Sequence, residues 1–182
     1  MTTFEHTPAS ETEIHPELRN GFLPDLLRPE RPQWTARELR DLTSTVAAEL
    51  TTPLLSLLRY DEKQRWWTRL GLTDGVELWL LSWLPGQFTA PHDHGGASGS
   101  FTVLLGAMSE EYRYPSGPIR GASYAVGQAI GFGAGRAHQL GNAGTAPAAT
   151  VHAYSPPSVD TREYATLADV PAEIPSLIPE PR

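Results

Sequence analysis

The sequence has no cysteine. Disulfides, thiolate metal ligands and cysteine nucleophiles are therefore excluded from the chain. In so small a protein the absence also favours a reducing compartment, so the expected location is cytoplasmic. Lysine is nearly absent too: Lys63 stands alone, and the remaining positive charge is arginine without a basic run. With a formal net charge of −7, the chain lacks the clustered cations that phosphate backbones require, which argues against nucleic acid as a partner. Long apolar runs are missing as well. The stretches around Leu78 to Leu84 and Phe101 to Leu105 fall far short of the roughly 20 residues that span a bilayer. The N-terminal MTTFEHTPASETEIHPELRNG has no basic start followed by an apolar stretch, so neither a signal peptide nor a membrane partner is expected. No internal repeat or low-complexity tract is present.

What remains is the composition of one folded domain: 182 residues, 40% hydrophobic and 19% charged. Residues 1–34 are polar and marked by Pro16, Pro24, Pro29 and Pro32, and read as an irregular arm. Thr35 is a plausible helix cap, because Ala36, Leu39, Val46, Ala47 and Leu50 follow at helical spacing. A second short helix is expected over Pro53 to Tyr60, and Asp61 to Leu70 reads equally as a helical turn or a first strand. From Gly75 the texture changes to short apolar runs with glycine and proline punctuation. Val76–Leu84, Gly99–Leu105, Ala107–Tyr114, Ser123–Ala125, Gln128–Phe132 and Ala148–Tyr154 read as strands, which predicts a mostly β sandwich or closed barrel with short N-terminal helices. The domain is expected over 35–165, followed by a proline-rich tail at 166–182.

Six histidines are present. His6 and His15 lie in the polar arm and are expected to be solvated. His92 and His94 are separated by one residue, so in a strand both imidazoles face the same side and can meet one ion. His138 is the natural third ligand. It follows Gly133-Ala-Gly135-Arg-Ala, where the backbone can turn tightly, and precedes another strand. Three neutral imidazoles with open positions suit a borderline transition metal in a catalytic-type site.

The spacing around these histidines resembles two cupin motifs. Gly86, five residues, His92-x-His94, closing at Gly106, is similar to the first. Gly127, five residues, Gly133-x-Gly135, then His138 and Asn142, is similar to the second, with glycine where proline is usual. The resemblance implies a cupin jelly-roll barrel with the metal inside. It also exposes a departure: the usual glutamate ligand is replaced here by Gly99. The expected site is then all-histidine, and a divalent ion keeps its full charge toward an anionic thiolate.

Cupins that lack this glutamate resemble the thiol dioxygenases, and the chain is similar to the cysteine dioxygenase family, bacterial type, in three further places. His92-Asp-His94-Gly-Gly with Gly99 resembles its His-Asp-His segment; animal members carry at that last position a cysteine crosslinked to a tyrosine, which a chain without cysteine cannot have. Thr150-Val-His152-Ala-Tyr154-Ser155-Pro156-Pro157 resembles the family's Ser-x-His-x-Tyr-Ser-Pro-Pro, whose trio implies a hydrogen-bonded relay ending on the tyrosine hydroxyl. Trp67-Thr-Arg69 resembles an aromatic-x-Arg whose guanidinium clamps a substrate carboxylate, with Arg65 as a nearby competitor.

The implied function is an Fe(II)-dependent thiol dioxygenase that oxidises L-cysteine with O2 to the sulfinic acid, part of cysteine catabolism. Tyr154, His152 and Thr150 are the expected catalytic relay, Arg69, Trp67 and Trp83 the expected substrate-binding residues, and His92, His94 and His138 the iron ligands. Leu78, Trp83, Phe101, Val103 and Leu105 are candidates for barrel lining or plain core. Close alternatives are a dioxygenase of 3-mercaptopropionate or another thiol acid, a three-histidine cupin that isomerises or hydrolyses a small acid, and a non-catalytic metal-binding module. The expected partners are the small thiol and O2, in a monomer or small homo-oligomer.

Overall fold

In the computed structural model, which describes residues 12–179, the chain enters as a short strand, β1 (Glu13–Ile14), followed by a 3₁₀ turn over Pro16–Leu18 and the helix α1 (Leu23–Leu27). His6 lies outside the described residues. The described part of the expected irregular arm is thus ordered and built into the core. Leu18, Leu23, Leu27 and Trp34 are all buried, and each such side chain contributes about 1.5–3 kcal/mol of hydrophobic stabilisation. Of the prolines that suggested irregularity, Pro16 and Pro24 sit in the first turns of these short elements, where the missing N–H is harmless.

Helix α2 (Ala36–Glu49) begins where Thr35 predicts. Thr35 and Glu38 form a capping box, each side chain serving the other's backbone N–H. Its stripe of Leu39, Leu42 and Val46 is buried. A further helix, α3 (Thr51–Leu57), follows directly. The ambiguous stretch from Asp61 ends as a loop and then β2 (Trp67–Leu72).

Nine more strands follow: β3 (Glu77–Trp83), β4 (His92–Asp93), β5 (Ser98–Leu105), β6 (Ala107–Arg113), β7 (Arg120–Ala125), β8 (Ala129–Phe132), β9 (Ala137–Gly141), β10 (Ala148–Ser155) and β11 (Arg162–Glu163). They form two antiparallel sheets, ordered β1-β2-β3-β10-β5-β8 and β11-β4-β9-β6-β7. The result is a mostly β jelly roll with N-terminal helices. β4, β9 and β11 escape a reading by periodicity because two to five residues carry too little alternation to register.

The centre of the six-stranded sheet is buried on both faces, which explains the nearly continuous apolar runs in β3 and β10. Leu78, Leu80, Ala149 and Val151 pack outward under the helices with Leu39 and Val46. Trp83, Phe101, Val103 and Phe132 face inward and meet Met108, Tyr124 and Leu140 of the second sheet. Of the candidate lining residues, Trp83, Phe101 and Val103 therefore face the interior. Leu78 has the opposite phase and serves the helix-side core, while Leu105 at the strand end is exposed. Helix α2 and its approach are tied to the sheet by polar contacts as well: Thr43 Oγ1 lies 2.7 Å from Ser100 Oγ, and just before the cap Trp34 N donates to Ser155 Oγ at 2.9 Å.

Candidate functional site

The three histidines meet because β4 and β9 are neighbours. Their pairing sets His92 directly opposite His138, and His94 follows on the same side one residue beyond β4. One nitrogen from each lies within 4.8 Å of the others, and the Nε2 atoms of His94 and His138 are 3.1 Å apart. Two imidazole nitrogens bound to one ion by bonds of about 2.1 Å stand roughly 3–3.5 Å apart, so the donor set fits a single ion with modest closure. The far side of two rings is already engaged. His92 Nδ1 donates to the Ala90 carbonyl at 2.8 Å, and His138 Nδ1 donates to Glu110 Oε1 at 2.7 Å. Both rings thereby turn Nε2 toward the common point. Burial holds His92 and His94 neutral, as ligands must be. The pKa of His92 is pushed down to about 4 by burial and then by His138, and that of His94 is also well below its ordinary value for the same reasons.

Position 99 cannot contribute a carboxylate. A Cβ at Gly99 would lie 2.4 Å from the Phe132 ring and 3.0 Å from Tyr154 Cδ1. The Phe132 ring fills that side of the site and stacks on His94, with centroids 5.4 Å apart. The cluster is all-nitrogen as the sequence suggests, and the packing supplies the reason.

Behind His138 stands a carboxylate that the sequence reading did not single out. Glu110 is buried on β6. Besides His138 it accepts from Arg136 at both oxygens, 3.1 Å and 2.5 Å, and from the Tyr124 hydroxyl at 2.7 Å. Burial alone would raise its pKa; the hydrogen bonds from His138 and Arg136 outweigh that and bring it to about 2. One signal was available: Met108 and Glu110 share the buried phase of β6, and a charge on a buried face needs a partner.

Thr150, His152 and Tyr154 alternate along β10 and are linked. Thr150 Oγ1 is 2.8 Å from His152 Nε2, and His152 Nδ1 is 3.0 Å from the Tyr154 hydroxyl. The chain extends one member further, because Trp83 Nε1 donates to Thr150 Oγ1 at 2.8 Å. Indole N–H is a donor only, so Thr150 Oγ1 accepts at this end. With the His152 hydrogen assigned to Nδ1, Thr150 gives its own hydrogen to His152 Nε2, His152 donates to the Tyr154 oxygen, and the Tyr154 hydrogen is left for the pocket. His152 is kept neutral, its pKa pushed down to about 3 by burial and next by neighbouring charges including Arg65. Burial, with Glu77 nearby, raises the Tyr154 phenol above its ordinary value, so it stays protonated. Trp83, expected to bind substrate, lines the cavity and also anchors the relay.

The arginine expectation needs correcting. Arg69 is not in the cavity: it pairs with Glu13 at 2.7 Å and lies over Trp79, 5.4 Å from the ring centroid. Trp67 is 59% exposed and packs edge-on against Trp79. Both line a separate surface groove. The physical reason is β1, which adds an edge strand beside β2 and brings Glu13 within reach of Arg69. Arg65 takes the inner place. β2 and β3 pair Trp67 with Leu81, and continuing that register two residues sets Arg65 opposite Trp83, where its guanidinium lies 4.9 Å from the indole centroid. Arg65 and the three histidines line one cavity of about 220 Å³ with Trp83, His152 and Tyr154. That volume is below the roughly 300–1,000 Å³ of drug-sized sites, so the occupant must be small.

A three-histidine cluster and an adjoining hydroxyl relay thus lie between the two sheets of the jelly roll, with Arg65 lining the same cavity. Residues 36–166 match the family described as Cysteine dioxygenase type I. The chain belongs to that family. This cysteine dioxygenase family match spans β2 to β11 and every residue of the cluster and relay. Among solved structures, one similar chain is an uncharacterized conserved protein with a double-stranded β-helix domain from Klebsiella pneumoniae. It is 19% identical over 62% of this chain and 89% of its own, with a TM-score of 0.52. An oxalate oxidase in complex with the substrate analogue glycolate is 17% identical over 57% of this chain and 56% of its own, with a TM-score of 0.50; the match thus spans little more than half of that protein. These likenesses establish the double-stranded β-helix, or cupin-like, fold. No curated protein matches the sequence. No helix among the described residues is long and apolar enough to cross a membrane.

Proposed function

We propose that this member of the cysteine dioxygenase family is an Fe(II)-dependent thiol dioxygenase that converts L-cysteine to its sulfinic acid. The observation that carries the reading is the Trp83–Thr150–His152–Tyr154 chain ending beside a three-histidine cluster. A metal-binding module has no need of a polarised relay aimed into its cavity. His92, His94 and His138 would hold the ion. Iron, when bound there, supplies the redox chemistry that joins both atoms of dioxygen to a thiolate sulfur, a product on the ordinary thiol oxidation ladder.

The protein's own part is positioning and proton control. Arg65 offers a fork of donors to a carboxylate entering the cavity and is already oriented by its stack on Trp83. Partial burial lowers its pKa yet leaves it cationic. Tyr154 offers its hydroxyl hydrogen to the substrate, since its oxygen is held from behind by His152. The absence of a carboxylate at Gly99 leaves an anionic thiolate as the natural partner of the cluster. The small cavity keeps the reacting groups close together.

The test is to load purified protein anaerobically with Fe(II), add cysteine, 3-mercaptopropionate and cysteamine in turn, and follow oxygen uptake and sulfinate formation. Uptake matched by cysteine sulfinate is the expected result. No uptake with any thiol overturns the dioxygenase reading, and uptake with 3-mercaptopropionate but not cysteine overturns the substrate alone.

A further inference from the structure

The first cupin motif lacks its ligand carboxylate here, but a carboxylate stands one layer further out. Glu110 is buried, and its two oxygens are fully engaged. Oε1 accepts from His138 Nδ1 at 2.7 Å and Arg136 Nε at 3.1 Å; Oε2 accepts from Arg136 Nη2 at 2.5 Å and Tyr124 at 2.7 Å. A carboxylate offers about four lone-pair sites, so four donors saturate it and it serves as an acceptor only. Its geometry is also over-determined. Arg136 grips it as a fork and is itself clamped over the Tyr112 ring, 3.5 Å from the centroid.

From this we infer that Glu110 is the positioning residue of the metal centre: it fixes the hydrogen of His138 on Nδ1 and so commits the Nε2 lone pair to the ion. The inference rests on the three-histidine reading and deepens it. The buried anion also enriches the imidazole in electron density, while Arg136 balances its charge. The site therefore gains a stronger donor without the net negative charge that a directly bound carboxylate would set against an incoming thiolate. An amide at position 110 could not do this. It offers one acceptor oxygen for several donors, and its NH2 can face His138 Nδ1, driving the hydrogen to Nε2, where it blocks the ion.

The experiment compares the unaltered protein, Glu110→Gln, the double exchange Glu110→Gln with Arg136→Met, and Tyr124→Phe. The single Glu110 exchange strands the Arg136 guanidinium, whereas the double exchange removes both charges and keeps the barrel testable. Tyr124→Phe deletes one neutral donor to the same carboxylate but leaves the His138 bond. Zn(II) affinity is measured by chelator competition, the ring tautomer of His138 by 15N NMR, and the Fe(III)/Fe(II) midpoint potential by electrochemical titration. The expected result is a His138 hydrogen on Nδ1 in the unaltered protein. Zn(II) binding weakens about ten- to a hundredfold in both Glu110 variants, the potential rises in the double variant, and Tyr124→Phe stays within about twofold. A His138 hydrogen on Nε2 in the metal-free unaltered protein overturns the inference. So does unchanged affinity in the double variant, or an equal loss in Tyr124→Phe. Failure of the unaltered protein to bind Zn(II) at all instead overturns the three-histidine site, and this inference with it.

Discussion

Exchanging Arg65 for glutamine removes the one cation that lines the cavity among the described residues, and its consequence can be sized. Arg65 is half-buried and held by the Trp83 face. A charge-assisted contact from such a donor to a carboxylate is worth about 1.5–3 kcal/mol. At about 1.4 kcal/mol per factor of ten, KM for a carboxylate-bearing thiol rises roughly 10- to 150-fold. Metal affinity stays unchanged, because Arg65 touches no histidine nitrogen among the described hydrogen bonds. Arg69→Gln is the matched control. Its ion pair with Glu13 has side-chain exposures of 32% and 56%, and exposed pairs are worth about 0–1 kcal/mol, so KM is expected to hold. Steady-state oxygen consumption with cysteine and 3-mercaptopropionate, which carry a carboxylate, and cysteamine, which does not, reads the effect. The Arg65 variant should penalise the first two and spare the third. Equal penalties from both arginine variants, or an equal penalty on cysteamine, would refute the assignment of Arg65 and the register argument behind it.

Three other outcomes follow from the same geometry. Tyr154→Phe keeps the ring that packs 4.6 Å from His94 but deletes the hydroxyl; kcat is expected to fall by roughly 10²-fold or more with metal content unchanged, and loss of metal in the same variant would point to a packing role instead. Gly99→Ala drives a methyl group to 2.4 Å from Phe132; overpacking of this kind costs about 1–3 kcal/mol, so a Tm equal to that of the unaltered protein would contradict the crowding described. The metal-free protein should lose stability on mild acidification. The folded state keeps His92 and His152 neutral down to about pH 4 and about pH 3, whereas the unfolded chain takes up protons near 6.5. Above that value the two states bind equally and stability is flat. Below it each histidine costs the fold about 1.4 kcal/mol per pH unit, roughly 2 kcal/mol each by pH 5, and urea midpoints that stay constant from pH 7.5 to 5 would sink this reasoning.

Local spacing was enough for a good part of the molecule. His92 and His94 share a face because strands alternate, and Thr150, His152 and Tyr154 do so for the same reason; no tertiary knowledge is needed to see either group. The capping box at Thr35 and Glu38 is likewise written in four consecutive residues. What alternation cannot supply is the identity of the neighbour across the fold. Glu110 reaches His138 because β6 and β9 pair, setting Tyr112 against His138 and Glu110 against Leu140, a relation between segments far apart in the chain. Trp83 anchors the relay through a bond to Thr150 that spans 67 positions. The two arginines show the limit most directly. Arg65 and Arg69 lie four residues apart, on either side of Trp66 and Trp67. The choice between them was made by β1, a two-residue edge strand whose Glu13 draws Arg69 to the surface, and by the β2–β3 register that lays Arg65 on Trp83. The sequence by itself determined which residues could bind a metal and pass a hydrogen; the long-range strand pairing decided which charge faces them and which stays outside.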